Sequence, residues 1–500
     1  MTLSRRTLLG AFGTLPLTAV ARGQTLHRLT LLHMNDFHSR HDPVDARALS
    51  CTAGKPGCLG GSARLASAIR AQRAAAEQDG RTVLLLDGGD QFQGSLFFTR
   101  YAGMAELAVQ HAVGTDAMAV GNHEFDRGPA VLAAYAAAAR FPLVSSNIDA
   151  SAEPALAGRL RGSALLQRGG LRIGLVGLTT LETRTGSSPG PNVAFAAPRP
   201  ALARASAELR GQGAQLIVLL SHMGVGFDRA LDLPGPAVII GGHSHTLLSD
   251  HEPGALGPYA AAGAGGALVV QAGAYGRYLG RLDLDLAADG AVLAHGGDCV
   301  HVGLDTPEDP EVAAIVARFA APLEAFRHEV VAVLPEALPL AGCRVAPCAL
   351  GQAIAGAMLR ATPGAELAIM NAGGIRTELP AGPVTRGQVL EALPFGNTIA
   401  TLQLSGADLA DALRAGLAQL GRGGFPQWAG LRLGLGGFEA RDGDAWRPLD
   451  PGRLYRVATN NFLRNGGDGY VAFRDRAIDP YDSGPGLDEA FVDLLTQARP

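Results

Sequence analysis

The run Ala117-Met118-Ala119-Val120-Gly121-Asn122-His123-Glu124-Phe125-Asp126 changes character at a single residue. Four apolar residues suited to a strand buried on both faces stop at a glycine, and amide, imidazole and carboxylate side chains follow at once. Working outward, the same break recurs four times. Residues 29–34 run into Asn35-Asp36-Phe37-His38, and 82–86 run into Asp87-Gly88-Gly89-Asp90. Residues 216–220 run into Ser221-His222, and 238–240 into Gly241-Gly242-His243-Ser244-His245. In an open α/β sheet, sites form outside the carboxyl ends of the strands, so these loops are placed to converge. Further apolar runs at 172–176 and 268–271, with Ala- and Arg-rich helical stretches at 62–77 and 200–210, predict an α/β layered domain over residues 26–305.

The residue types in those loops point to metal chemistry. In Asp36-x-His38 and His243-x-His245 the paired residues are two apart, and in extended chain both face the same way. Glycines before Asp90, Asn122 and His243 let backbone approach a crowded charged centre. A mixed carboxylate, amide and imidazole set suits Mn, Zn or Fe better than Mg or Ca alone. Two ions close together need a bridging anion, and Asp90 is the natural one; such a pair clamps the attacking and leaving oxygens of a phosphoryl displacement. His27, His33, His41, His111, His251, His295, His301 and His328 stand outside these loops and read as surface or packing residues.

Five hundred residues exceed one ordinary core, and the chain divides again after residue 305. Thr306-Pro307-Glu308-Asp309-Pro310 is a helix-start signal. Apolar residues at helical spacing follow, giving a linker helix within 306–328. A second α/β or α+β domain over 330–500 carries strand candidates at 367–370, 398–404 and 454–458. With 47% hydrophobic and 18% charged residues the chain is globular, and a net charge of −4 argues against a nucleic-acid polymer or a membrane surface as partner. Nothing in the sequence implies a protein partner. Lys55 is the sole lysine among 42 basic residues, so the presence of an arginine by itself says little about function.

Residues 1–21 read as an export signal: a twin arginine (Arg5-Arg6), a short apolar stretch and the small-residue cleavage site Ala19-Val20-Ala21. No stable membrane insertion follows from a run that short. The expected location is periplasmic or secreted. Cysteine usage agrees: Cys51 and Cys58 form one close pair, Cys343 and Cys348 another, leaving Cys299 alone. Neither pair has zinc-knuckle spacing, so disulfides are expected.

Together Asp36-x-His38, Gly89-Asp90, Gly121-Asn122-His123-Glu124, Ser221-His222 and Gly242-His243-Ser244-His245 resemble the motifs of the calcineurin-like metallophosphoesterases. Asn371-Ala372-Gly373-Gly374-Ile375-Arg376, Leu393-Pro394-Phe395-Gly396 and Asn461-Phe462-Leu463-Arg464-Asn465-Gly466-Gly467-Asp468-Gly469 resemble the nucleotide-binding domain of the 5'-nucleotidases. The resemblance covers residues 28 to 475 and implies a β-sandwich flanked by helices, then a substrate-binding domain. It implies that Asp36, His38, Asp90 and His245 hold one divalent ion, and that Asp90, Asn122, His222 and His243 hold the other. It gives His123 the catalytic contact with the phosphate, oriented by Asp126. It makes Phe395 and Phe462 the rings that sandwich the base, Asp468 the partner of the ribose hydroxyls, Arg344 and Arg376 the phosphate clamp, and Asn371 a contact to the base. Both cysteine pairs sit where the animal ecto-enzymes have theirs. His245 stands where close relatives carry Gln or Asn, and Pro347-Cys348-Ala349 replaces an acidic-x-Asn triplet.

The expected activity is 5'-nucleotidase, with UDP-sugars and nucleoside di- and triphosphates as further substrates. The alternatives are a 2',3'-cyclic nucleotide phosphodiesterase with 3'-nucleotidase activity, a sulfur-oxidation thiohydrolase on the same scaffold, and a non-catalytic nucleotide-binding protein.

Overall fold

A computed structural model describes residues 26–45, 51, 57–482 and 484–497. The expected export signal at 1–21 lies outside the described residues. The first sheet has six strands in the order Val292–His301, Tyr278–Leu286, His27–Met34, Thr82–Asp87, Ala117–Ala119, Leu143–Val144. The second also has six: Ala261–Ala262, Leu268–Val270, Val238–Gly241, Leu216–His222, Leu171–Thr179, Ser163–Arg168. His27–Met34 pairs parallel with Thr82–Asp87, and Leu216–His222 pairs parallel with both Val238–Gly241 and Leu171–Thr179. The strands that precede the five polar loops therefore sit side by side within their sheets.

The continuous apolar runs have the expected cause, because each strand is covered on both faces. Leu29, Leu31, Leu84 and Leu86 meet Ile173, Leu175, Val218 and Ile240 between the sheets. On one outer face Leu32 and Leu85 pack with Leu65 and Ile69 of the helix Ser62–Gln78. On the other, Ile217 and Leu219 pack with Leu202 and Leu209 of the helix Pro198–Gly211. Each fully buried leucine contributes about 2 kcal/mol by removal of apolar area from water. Helix, sheet, sheet and helix make four layers, the β-sandwich implied by the motifs.

The hairpin Tyr278–Leu286/Val292–His301 is not among the expected strands. It extends the first sheet antiparallel to His27–Met34, with Leu282, Leu284 and Leu286 turned into the core.

The connection to the second domain corrects one expectation. In place of a single linker helix, Pro310–Ala320 and Leu323–Arg327 are separate, with Pro322 between them. Proline has no N–H for the helical ladder and clashes with the preceding turn. The first of the two is capped by the Asp309 carboxylate, which accepts from Val312 N at 3.0 Å. It packs through Val312, Ile315 and Val316 onto the first domain.

Beyond it, a five-stranded sheet runs Pro426–Ala429, Leu367–Asn371, Leu454–Asn460, Ile399–Ser405, Ile478–Tyr481. Ala368 and Met370 face a cluster with Ile354, Met358 and Phe491, while Leu367 and Ile369 face Leu409, Leu413 and Phe473. Cys51–Cys58 and Cys343–Cys348 are disulfides, and Cys299 is free and buried. Among the described residues no helix is long and apolar enough to cross a membrane.

Candidate metal centre and adjoining pocket

The backbone around the candidate ligands is strained. Asp36, His38, Asp90, His243 and His245 all have φ between +50° and +70°, a left-handed region that non-glycine residues rarely occupy. Such geometry persists where the surroundings over-determine it, and it gathers at functional sites. The glycines before them are structurally required. A Cβ on Gly121 would lie 2.1 Å from Asp90 Oδ1, and one on Gly242 would lie 3.0 Å from His222 Nδ1.

These loops bring the side chains together. His222 Nε2 lies 3.0 Å from Asp90 Oδ2 and 3.1 Å from Asn122 Oδ1, and His243 Nδ1 lies 3.0 Å from the same Asn122 oxygen. On the other side of Asp90, His38 Nε2 is 3.0 Å from His245 Nε2 and 3.9 Å from Asp90 Oδ2. His245 Nε2 is 3.5 Å from Asp36 Oδ1. Asp36, His38 and His245 form one group able to hold an ion, and Asp90, His222 and His243 another. Asp36, His38, Asp90, Asn122, His123 and His222 are all buried.

The donor set fits cations on electronic grounds. His243 Nε2 meets the Glu182 carboxylate at 3.0 Å, and a carboxylate accepts, so the ring proton sits there. In the neutral ring Nδ1 then turns its lone pair to Asn122 Oδ1, because Asn122 Nδ2 donates to Tyr481 OH at 3.1 Å. Two acceptors at contact distance call for a positive ion between them. Burial opposes charge on His222, yet Asp90 and Asp36 outweigh it and lift its pKa to about 10. Burial likewise pushes the Asp90 pKa up, but His222, His123 and His38 hold it well below the ordinary carboxylate range. The buried carboxylates of Asp90 and Asp36 thus favour positive charge beside them, as a site for cations would.

His123 sits over this cluster, its ring 5.1 Å from that of His38. Its backbone N–H donates to Asp90 Oδ1 at 3.0 Å, and its Nδ1 lies 2.6 Å from Asp126 Oδ2. Asp126 is held in turn by Ser187 Oγ at 2.8 Å. Burial lowers the His123 pKa, but Asp126 and Asp90 raise it further, to about 9.

Three groups at the site carry no role in the sequence reading. Glu124 accepts from the backbone N–H groups of Asp90, Gln91, Phe92 and Gly121 at 3.0, 2.8, 3.3 and 2.6 Å, and so fixes both loops that flank Asp90. A buried acid inside the Gly121–Glu124 motif was its available signal. Tyr481 and Glu182 come from segments without any motif, and only folding brings them to Asn122 and His243.

In the second domain Arg344, Asn371, Arg376, Phe395, Phe462 and Asp468 line one cavity of about 620 Å³. The Arg376 guanidinium lies 5.7 Å from the centre of the Phe395 ring. Asn371 Nδ2 donates to Asp468 Oδ2 at 2.9 Å and its Oδ1 accepts from Asn460 at 2.9 Å, so this amide is largely committed to holding Asp468. A cleft of about 500 Å³ adjoins it, with His38, His123, His243 and His245 on one wall and Thr398, Asn465 and Tyr481 on the other. Asn461 and Asn465 line both spaces.

The family model of the calcineurin-like phosphoesterases matches residues 29–247, the span that carries all five loops of candidate ligands. Its members imply divalent metal ions. The model of the 5'-nucleotidase C-terminal domain matches residues 330–475. Human 5'-nucleotidase is 32% identical, over 91% of this chain and 86% of its own. The trifunctional nucleotide phosphoesterase YfkN of Bacillus subtilis is 33% identical over 89% of this chain, which spans 32% of that longer protein. The crystal structure of a 5'-nucleotidase precursor from Thermus thermophilus is 37% identical, with a TM-score of 0.61 over 94% of this chain and 96% of that one. The chain belongs to the 5'-nucleotidase family.

Proposed function

We propose that this protein is an exported two-metal phosphohydrolase that releases phosphate from nucleoside 5'-phosphates, with zinc or manganese as native ions. One observation carries the reading: a cavity with two phenylalanines, two arginines and an aspartate adjoins a buried Asp/His/Asn cluster. The first set suits a base, a phosphate and a ribose, and the second suits a pair of cations. Asp36, His38, Asp90 and His245 would hold one ion, and Asp90, Asn122, His222 and His243 the other. Divalent ions, when bound, supply Lewis acidity that polarises a phosphoryl oxygen and lowers the pKa of water.

The chain's own residues do the rest. Arg344 and Arg376 grip the phosphate while Phe395 and Phe462 hold the base by stacking, a contact that tolerates different bases. Asp468, steadied by Asn371, takes the ribose hydroxyls. His123 presents Nε2, a buried atom with no hydrogen-bond partner among the described residues, as a donor to the phosphoryl oxygen. Asp126 fixes the ring through Nδ1 and keeps it cationic. Metal ligands and nucleoside pocket sit on different domains, and the second domain moves against the first to admit substrate and release product. Two disulfides support an oxidising compartment, periplasmic or secreted.

The test is phosphate release from AMP, UDP-glucose, 2',3'-cyclic AMP and a thiosulfate conjugate, with Mn²⁺ and with chelator. Metal-dependent turnover of AMP is expected to dominate. Preference for the cyclic nucleotide or the thiosulfate conjugate would assign one of the rival activities instead, and no turnover would leave a binding protein.

A further inference from the structure

The histidines of the metal cluster differ in what holds the far side of each ring. His222 Nδ1 donates to the Gly88 carbonyl at 2.8 Å, and His38 Nδ1 lies 3.2 Å from the Phe92 carbonyl. Both are neutral backbone acceptors. His243 meets a full carboxylate, Glu182 Oε2, at 3.0 Å. We propose that Glu182 is a positioning residue for the second ion: its carboxylate fixes the His243 tautomer and ring orientation and makes Nδ1 a stronger ligand. This rests on the two-metal reading above.

The local structure supports a built contact. Glu182 stands just beyond the strand Leu171–Thr179, where no motif lies. Thr180 N donates to the carbonyl of His222, a candidate ligand of the same ion, at 3.0 Å. Thr180 Oγ1 accepts from Glu182 N at 3.3 Å, and Thr183 Oγ1 closes the turn on the Thr180 carbonyl at 2.7 Å. Thr183 is buried within that turn. The segment bearing Glu182 is thus hung from the very strand that ends in His222. The carboxylate also has a defined electronic effect: a carboxylate behind a ligating imidazole fixes the tautomer and raises ligand basicity, and losing it typically weakens metal binding 10- to 100-fold. An ordinary exposed ion pair of the same geometry has a small effect on stability and none on metal affinity.

The two accounts separate on metal binding, measured without substrate. Glu182→Ala, Glu182→Gln and Glu182→Asp are compared with wild type by metal content per chain and by chelator titration, which resolves the two ions by affinity. The proposal expects Glu182→Ala to weaken one ion about 10- to 100-fold and leave the other unchanged, with Gln intermediate and Asp restoring part of the loss. KM for AMP at saturating metal stays unchanged. Equal metal affinity in Glu182→Ala and wild type, or equal loss of both ions, would overturn it. His222→Ala serves as reference. If it too binds both ions like wild type, the two-metal assignment fails, and this proposal with it.

Discussion

His123 Nδ1 lies 2.6 Å from Asp126 Oδ2, and both residues belong to the short turn that begins immediately after Asn122. One turn of chain therefore supplies the amide that meets His222 and His243, an imidazole and the acid that charges it. With Asp126 reduced to an amide, His123 loses the largest influence that raises its pKa, and its Nε2 is less often protonated. Asp126→Asn is expected to lower kcat about 100-fold with KM for AMP nearly unchanged, as steady-state kinetics will show. A matching rise in KM would mean that Asp126 serves binding instead.

Asp90 is the side chain that both halves of the cluster share. Replacing it by asparagine removes a charge that lies close to histidines of both halves. Asp90→Asn is expected to lose tight binding of both ions, whereas His245→Ala weakens only the ion held with Asp36 and His38. Metal analysis after dialysis checks the difference. Chelated wild type should also lose thermal stability, because ions that bind the folded state alone stabilise it by mass action.

Phe462 leaves 45% of its surface exposed in the free protein, so little of the core depends on it. Base stacking on an aromatic ring contributes about 1–3 kcal/mol. Phe462→Ala is expected to raise KM for AMP about 10-fold while Tm stays put. A variant with unchanged KM across AMP, GMP and UMP would remove Phe462 from the base site.

Glu489 sits in the contact between the domains, where it accepts from Thr99 Oγ1 and lies 3.8 Å from Arg127 Nη2. Burial, then the neighbouring Asp488, lift its pKa to about 7 from the usual 4.5, and Arg127 only partly offsets them. The folded state keeps this proton up to about pH 7 while the unfolded chain sheds it near 4.5, so the group's contribution falls as pH rises through that window. Glu489→Gln, which still accepts from Thr99, should match wild type near pH 4 and exceed it by about 2 °C or more in Tm at pH 8. A constant difference at all pH values would show that the carboxyl does not titrate there.

Much of this protein was legible before folding. Apolar runs that broke into Asn-Asp, Gly-Asp, Asn-His, Ser-His and His-x-His located the five loops, because strands buried on both faces read as near-continuous apolar runs. The hairpin Tyr278–Leu286 carried its own signal in the alternation of Leu282, Leu284 and Leu286 with Arg281, Asp283 and Asp285, the two-residue period of a strand with one face buried. The break at Pro322 was equally local.

Residue types and their spacing along the chain determined the layers and the set of candidate ligands, because each depends on neighbours in sequence. Folding alone decided which distant groups stand behind them. Glu182 reaches His243 across 61 positions, and Tyr481 reaches Asn122 across 359. A single carboxylate or phenol carries no periodicity by which to be found. Its meaning comes from the atom it faces, and that is fixed by the packing of two sheets and a second domain.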